Sequence, residues 1–575
     1  MIFLNKKQII QALETIAIYM EIKGENSFKV SAYRKAAQAL ELDERTMEQI
    51  EDPSKLKGIG KGTATVIEQL KNEGKSSLLD ELKEELPEGL IPLLKLPGLG
   101  EKKIGKIYQQ LEVVDIESLK QACLDEKVQV LAGFGKKTEE KIIASIEEFG
   151  KQPERLPIAQ VLPVANKIEA NLSNINEIIR FSRAGSLRRL RETVKDLDYI
   201  IATNEPEKVR DALLKFANVG EIIASGDTKV SLVLQLAEFR ISIDFRLVKD
   251  AEFATALHHF TGSKDHNVQM RQLAKDRGEK ISEYGVEDVE TGKITTFASE
   301  EEFFRHFGLH FIPPEVREGD GEIEAWQTEN ELISINDIRG DMHMHSTWSD
   351  GAHSIEEMVE AARKKGYSYI AITDHSKYLK VANGLTVKRL REQHQKIAKL
   401  NEQWDDFTIF TGIEMDILPD GTLDYDDEVI SDVDFVIASI HSSFSQDRET
   451  IMNRLKNALK NQHVDLIAHP TGRLIGRRAG YDVDVDLLID LASESNTALE
   501  LNANPHRLDL APHWLKKAQQ KDVKIMINTD AHNEEMLDDM EIGIASARKG
   551  WIKKDTVINS WSQQQVVRYL NRKDK

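Results

Sequence analysis

With 575 residues, 40% of them hydrophobic and 30% charged, the chain is too long for a single core and reads as a globular protein of two to four domains. The first stretch, MIFLNKKQIIQALETIAIYM, is amphipathic and broken by Lys6, Lys7 and Glu14, which excludes a signal peptide and predicts a helix. No apolar run reaches the length of a membrane span, and the single cysteine, Cys123, excludes an internal disulfide and suits the cytoplasm.

The net charge of −20 is unevenly spread. Residues 1–150 hold 22 basic and 26 acidic side chains, residues 151–317 hold 24 and 26, and residues 318–575 hold 31 and 45. The front is close to neutral, so any hold it has on phosphate must come from local geometry. The acid at the back is of the kind that bound divalent cations would offset.

Residues 1–150 carry a loose repeat: LKGIGKGTATVIEQL, LPGLGEKKIGKIYQQL and LAGFGKKTEEKIIASI. Each has a glycine pair (Gly58 and Gly60, Gly98 and Gly100, Gly133 and Gly135), then a lysine-bearing helical pattern. This resembles the helix-hairpin-helix motif. Paired glycines permit a tight turn and close backbone approach, and the helix start that follows aims free N–H groups and its positive dipole end at a phosphate. Such contacts ignore base sequence. Gly58, Gly60, Lys61, Gly98, Gly100 and Lys102 are the candidate DNA contacts. The third copy fits either a further hairpin or an ordinary helix connection.

The next signal is GSLRRLRETVKDLD at 185–198, in which Gly185-Ser186 precedes Asp196-Leu197-Asp198. Residues i and i+2 of a strand share a face, so Asp196 and Asp198 project together, and Asp244 in the alternating strand FRISIDFRLV is a third candidate. Three carboxylates on neighbouring strands can hold two divalent metals, which would activate an attacking hydroxyl and clamp a triphosphate. The segment 1–317 resembles a family X (DNA polymerase beta-like) polymerase through RLPI at 155–158, GS…DLD at 185–198, RISIDFRL at 240–247, HFTGSK at 259–264, NVQMR at 267–271 and ISEYG at 281–285. The resemblance implies that Asp196, Asp198 and Asp244 bind catalytic Mg²⁺. It implies phosphate contacts from Arg155, Ser186 and Arg189, a sugar pocket lined by His259, Phe260 and Gly262, and nascent-pair contacts from Asn267 and Arg271. Glu283 belongs to the network that locks that helix. His259 stands where vertebrate relatives carry Tyr, and Val268 where a relative has Lys. Those relatives also use a first-hairpin lysine as a lyase nucleophile; the corresponding position here is Val66, with Lys61 and Lys71 assigned to phosphate binding and to a solvated face.

After IPPE (312–315) comes an acidic stretch that reads as a linker, and then histidines cluster. His343, His345, Asp350, His375, Glu414, His441, His469, Asp530 and His532 mostly follow short apolar runs (YIAIT, FTIFTGI, FVIASI, VDLIA, VKIMIN). Repeated βα units predict a parallel barrel with its chemistry at the C-terminal ends of strands. Imidazole and carboxylate without thiolate suit zinc, manganese or iron. This half resembles the PHP (polymerase and histidinol phosphatase) domain, with all nine ligand positions filled. By resemblance, His343, His345, Glu414 and Asp530 serve one metal, Glu414 bridges to a second held by His441 and His469, and Asp350, His375 and His532 serve a third, with Mn²⁺ or Zn²⁺ as the ions. Arg473 and its loop offer phosphate contacts, and His506 and Arg507 are either further contacts or structural.

The sequence thus predicts a multidomain chain: an α-helical helix-hairpin-helix region, an α/β nucleotidyltransferase palm with thumb, and a C-terminal (β/α)7-like PHP barrel. The expected boundaries are 1–85 and 86–150 for the two hairpin regions, 151–240 for the palm, 241–317 for the subdomain binding the nascent base pair, 318–336 for a linker and 337–575 for the barrel. The expected activity is DNA-directed DNA synthesis filling short gaps in base excision repair, on gapped or nicked DNA with dNTPs, joined to a 3′-5′ exonuclease with AP endonuclease activity. A small-molecule phosphatase in the barrel and a non-catalytic DNA-end scaffold are the rival readings.

Overall fold

The computed structural model describes residues 4, 6–43, 47, 50–96, 99–150, 155–236 and 239–573. Up to residue 150 the chain is helical. Its main helices are Lys6–Lys23, Ser27–Leu42, Lys61–Glu73, Ser77–Glu85, Glu101–Leu111, Ile116–Leu124 and Lys136–Gly150. In Lys61–Glu73 the buried residues are Thr63, Ala64, Val66, Ile67 and Leu70, a helical stripe, and Gly74 ends the helix in the left-handed region. That stripe joins Leu13, Ile16, Ile104 and Ile107 in one apolar core. All three glycine turns run straight into a helix, starting at Lys61, Glu101 and Lys136. Gly58 (φ +108°) and Gly133 (φ +92°) take the left-handed conformation that favours glycine.

The palm is a five-stranded sheet of β1 (Ile178–Arg183), β2 (Asp196–Thr203), β3 (Val219–Ser225), β4 (Lys229–Gln235) and β5 (Arg240–Val248), in the order β1-β2-β5-β4-β3. Only β2 and β5 pair in parallel. In β5 buried and partly exposed residues alternate along its whole length, as expected of a sheet with one covered face. Helices Phe253–Thr261, Lys264–Lys275 and Glu300–His306 follow, with a small antiparallel sheet (Glu279–Ser282, Gly285–Asp288, Ile294–Thr295). Phe303, Phe304, Phe307 and Trp326 fill their core.

Trp326 corrects the linker expectation. The acidic stretch from 318 is packed: Glu322 and Trp326 are buried, and Glu322 Oε1 lies 2.8 Å from His266 Nδ1. Glu318 and Glu322 have internal partners while Asp320, Glu324, Glu329 and Glu331 are exposed, so composition alone misread the start of the stretch.

The barrel strands are β6 (Gly340–Asp341), β7 (Tyr369–Ile372), β8 (Thr408–Asp416), β9 (Phe435–Ser439), β10 (Leu466–Ile467), β11 (Ala498–Asn502) and β12 (Ile525–Asn528), all parallel and in sequence order. A parallel bridge between Met344 and Ala531 brings the first and last strands together. β7, β9, β11 and β12 are buried at every residue, because helices cover the outside and side chains fill the inside. Ile475, Leu508, Ile542 and Ala545 of this half pack into the palm core. Among the described residues, no helix is long and apolar enough to cross a membrane.

Candidate active sites

In the palm, β2 and β5 run in register so that Asp198 sits opposite Asp244 and Asp196 opposite Ser242. Asp196 is exposed, while Asp198 and Asp244 are half-buried. Burial, then the charges of Asp196 and Asp244, push the Asp198 carboxyl up to about 7. Three acids gathered and partly desolvated in this way form a field that divalent cations would neutralise, so the triad fits the metals the resemblance implies. Gly185 has φ +60°, and a Cβ there would fall 2.1 Å from Asp198 Oδ2. The glycine of the Gly-Ser turn is therefore needed for close approach as well as for backbone shape. Ser186 follows it on a single helical turn, Gly185–Arg188. Two neighbours on β4 escaped sequence reasoning: Ser231 Oγ donates to Asp244 Oδ1 (2.6 Å), and Lys229 Nζ lies 2.8 Å from its Oδ2. Their signal was the strand next door, which register alone reveals.

The other nucleotide candidates fall into two places. Arg189 is largely buried; its guanidinium donates to Thr261 O and lies 3.4 Å from Glu318, and Gly262 (φ +66°) leaves room beside it. His259 and Phe260 meet edge-on, Arg246 stacks over Phe260, and Asn267 Nδ2 donates to His259 O at 2.8 Å. Burial lowers the His259 pKa, partly opposed by the charge of Glu283, with Arg271 and Arg246 adding to the fall. Those four ionisable groups are thus neighbours. Arg155 instead bonds Thr193, through its Oγ1 at 3.0 Å and its carbonyl at 2.5 Å.

In the front hairpins, Gly60 and Gly100 are the N-caps of their helices, and a Cβ on either would meet nothing within 4 Å. Lys61 and Lys102 are exposed on the first turns. Gly98 lies outside the described residues. Lys71 departs from expectation: it is half-buried, and its Nζ donates to Ile50 O at 3.0 Å. Its long stem crosses apolar surface to reach a carbonyl, so it is not on a solvated face.

The barrel gathers its ligand-type residues at one end. The ligand atoms of His343, His345, Glu414 and Asp530 all lie within 4.8 Å of one another, as do those of His345, Asp350, His375 and His532, and those of His375, Glu414 and His441. The first set has the same members as the first group implied by resemblance, the second holds all three residues of the third group together with His345, and the third joins Glu414 and His441 of the second group to His375. His375 differs, since it stands within reach of both Asp350 and Glu414. His469 Nε2 is 2.9 Å from Glu414 Oε1 and His441 Nε2 is 3.2 Å from it. Burial works against a charged His343, but Glu500, Asp530 and Glu414 outweigh it and hold its pKa well up; Glu414 and Asp416 likewise push His441 up to about 10 despite its burial. Buried imidazoles set among carboxylates, with no thiolate, form a donor set that fits divalent transition metals.

A second layer of carboxylates holds these ligands, and sequence reading passed it over. Glu500 Oε1 lies 2.8 Å from His343 Nδ1, and its Oε2 accepts the His469 N–H at 2.7 Å. Asp416 Oδ1 lies 3.2 Å from His441 Nδ1. Asp374 accepts from Ser346, Ser349 and Gln393, and Asp341 accepts from Thr529 and from the His343 N–H. Glu500 and Asp416, which face the ring nitrogens of His343 and His441, are partners of the kind that fix the tautomer and aim of a metal-binding imidazole. The available signal was ALELN at 498–502, where Glu500 and Asn502 interrupt an apolar strand two residues apart. Arg473 donates to Glu192 (2.7 Å) and to the carbonyls of Arg507 and Leu508, which ties the barrel to the palm. Arg507 Nε does approach Asp530, at 3.8 Å.

Comparison with known proteins agrees with this architecture. The chain matches family models for a helix-hairpin-helix domain at 5–76, a SAM-like helix-hairpin-helix tandem at 90–148, a DNA polymerase beta thumb at 256–318 and a PHP domain at 341–529. It is 62% identical over 571 residues, 99% of this chain and all of the relative, to the DNA polymerase/3′-5′ exonuclease PolX of Bacillus subtilis (strain 168). The chain belongs to the bacterial family X DNA polymerases with a C-terminal PHP domain. Membership in this family accounts for the tandem hairpins, and the second family model spans the third glycine turn, Gly133 to Gly135. More distant likeness covers a smaller part of the chain: a probable phosphatase of Thermoanaerobacter sp. (strain X514) is 28% identical over 246 residues, 41% of this chain and 95% of the relative. A probable phosphatase of Clostridium acetobutylicum is 23% identical over 245 residues, 41% of this chain and 95% of its own.

Proposed function

We propose that this enzyme is a DNA polymerase and 3′-5′ exonuclease that fills short gaps and trims 3′ ends in base excision repair, cutting also at abasic sites. One observation carries the reading: a palm carboxylate triad and a full barrel donor set stand on the same chain, each on its own sheet. In synthesis, Asp196, Asp198 and Asp244 would hold Mg²⁺, whose bound charge lowers the pKa of the primer hydroxyl and stabilises the leaving pyrophosphate. Arg155, Ser186 and Arg189 bind the triphosphate; His259, Phe260 and Gly262 receive the sugar; Asn267 and Arg271 face the nascent pair, steadied by Glu283. Gly58, Gly60, Lys61, Gly98, Gly100 and Lys102 grip backbone phosphate on either side of a gap.

In hydrolysis, the nine barrel ligands would hold Mn²⁺ or Zn²⁺, which supplies an activated water at neutral pH. Glu500 and Asp416 keep His343 and His441 aimed, and Arg507, 3.8 Å from Asp530, offers a cation for the scissile phosphate. Residues 1–85 and 86–150 form the DNA grip, 151–240 the palm, 241–317 the nascent-pair subdomain, and 337–575 the nuclease. Cytoplasmic residence rests on cysteine usage, since a single thiol, Cys123, can form no internal disulfide.

The test is activity on a gapped duplex with and without an abasic site, in Mg²⁺ and in Mn²⁺. Gap filling together with release of 3′ mononucleotides is expected. Hydrolysis of histidinol phosphate at a rate matching DNA would favour a small-molecule phosphatase, and DNA binding without either activity would favour a scaffold.

A further inference from the structure

The helix Asp539–Lys549 follows the last barrel strand and belongs to the nuclease half, yet its end reaches the polymerase. Ile542 and Ala545 pack into the palm core. Arg548 lies 3.4 Å from Glu315. Lys549 is only 14% exposed, and its ammonium donates to three polymerase oxygens: the Glu318 carboxylate at 2.5 Å, Arg189 O at 3.1 Å and Glu315 O at 3.3 Å. These contacts join the helix end to two separate polymerase segments, one at Arg189 and one at Glu315 and Glu318.

Glu318 is the shared partner. Its carboxylate lies 2.5 Å from Lys549, 3.4 Å from Arg189 Nε and 3.6 Å from Arg191. It is mostly buried, and burial would raise its pKa. Lys549, followed by Arg189 and Arg191, reverses that and holds it ionised. Lys549 makes the shortest of the three contacts. Without that ammonium the same buried charge would have only the two guanidiniums to turn to, and Arg189 is the less exposed of them. A buried carboxylate without its nearest cation tightens on what remains.

We propose that Lys549, a residue of the nuclease half, is a positioning residue for DNA synthesis: by occupying Glu318, it keeps the Arg189 guanidinium available to an incoming triphosphate. The inference rests on reading Arg189 as a triphosphate contact. It explains why the joint between the halves carries a charged, partly buried cluster beside its apolar packing.

The experiment measures KM for dNTP and kcat in single-nucleotide gap filling, with exonuclease rate on a 3′ overhang as a check of fold. Lys549→Met should raise KM about five- to ten-fold with kcat changed less, and leave the exonuclease within two-fold. In a Glu318→Gln background the same substitution should do nothing to KM, because the competing charge is gone. Lys549→Arg should stay within two-fold of wild type. Arg189→Ala reports on the underlying reading: if it leaves KM unchanged, that reading falls and the inference with it. If Arg189→Ala raises KM but Lys549→Met does not, or if the Lys549→Met effect persists without the Glu318 charge, the inference alone is overturned. Should Lys549→Met also depress the exonuclease, Glu318→Gln by itself decides: a lower KM is expected, and a higher one overturns the proposal.

Discussion

Asp198 stands directly opposite Asp244 on a neighbouring parallel strand, one carboxylate per strand at the same level of the sheet. Register delivers this pairing, and a one-residue slip of either strand would turn its carboxylate to the other face.

Asp244→Ala should therefore abolish primer extension while leaving the exonuclease intact. The barrel has its own donor set, and the side-chain contacts of Asp244 with Ser231 and Lys229 lie within the palm sheet. Extension surviving above about a hundredth of wild type, a loss under roughly 3 kcal/mol, would remove Asp244 from the triad.

His343→Ala or Asp530→Ala should do the reverse, and manganese should support the nuclease better than magnesium, since imidazole-rich sites favour transition metals. Glu500→Gln should leave the fold standing but weaken metal uptake about 10- to 100-fold, because it aims His343 and anchors the His469 N–H. Metal titration followed by spectroscopy or calorimetry reads this directly. Loss of primer extension in the His343 variant would mean that the barrel is a structural support.

Much of this was legible beforehand, for stated reasons. The Asp-x-Asp spacing fixes one face of a strand, and a ligand after each apolar run fixes one end of a barrel. What stayed hidden depends on partners far away in sequence. Glu500 sits within an apolar strand and acts on His343, 157 residues earlier. Glu322 reads as linker acid until His266, 56 residues before it, is found against it. The contact of Arg473 with Glu192 joins residues 281 apart, which no local pattern shows.

Gly60→Val or Gly100→Val should weaken binding to gapped DNA on every sequence alike. Gly60 has φ −89° and Gly100 φ −99°, which any residue adopts, and the space around each is open. Valine there should cost little in the free protein beyond the loss of a favourable cap, so a change in affinity reports on backbone approach to phosphate. Circular dichroism checks the fold, and anisotropy on two unrelated gapped duplexes checks the claim. A loss that varies with sequence would contradict it.

Glu300 is buried between Arg188 and Arg317, each at 2.6 Å. Burial would raise its pKa, but Arg317 and then Arg188 outweigh that and lower it from 4.5 to about 2. A depressed folded pKa means stability that is present above pH 4.5 and lost as pH falls toward 2. Glu300→Gln leaves two guanidiniums without their anion and should cost on the order of 3 kcal/mol at pH 7. In denaturant titrations at pH 7 and pH 3, the gap between wild type and variant should narrow at the lower pH. A gap independent of pH would show that the carboxylate is not the ionised partner.

The last prediction concerns an absent reaction. A Schiff-base lyase needs an amine that is partly deprotonated and free to reach a sugar aldehyde. Val66, at the position where the resemblance places that lysine, is buried in the helical core and has no amine to offer. Of the two lysines on this helix, Lys71 is tied to the Ile50 carbonyl, and Lys61 is exposed on the first turn after Gly60, at the position read as a phosphate contact. The front region should therefore hold a 5′-phosphate without excising the sugar. Borohydride trapping on an incised abasic duplex, with barrel metals removed by chelation, should yield no covalent adduct. An adduct that persists under those conditions and disappears in Lys61→Ala or Lys71→Ala would place a working nucleophile on this helix after all, and would mean that the amine reaches the sugar by giving up the contact it makes in the free protein.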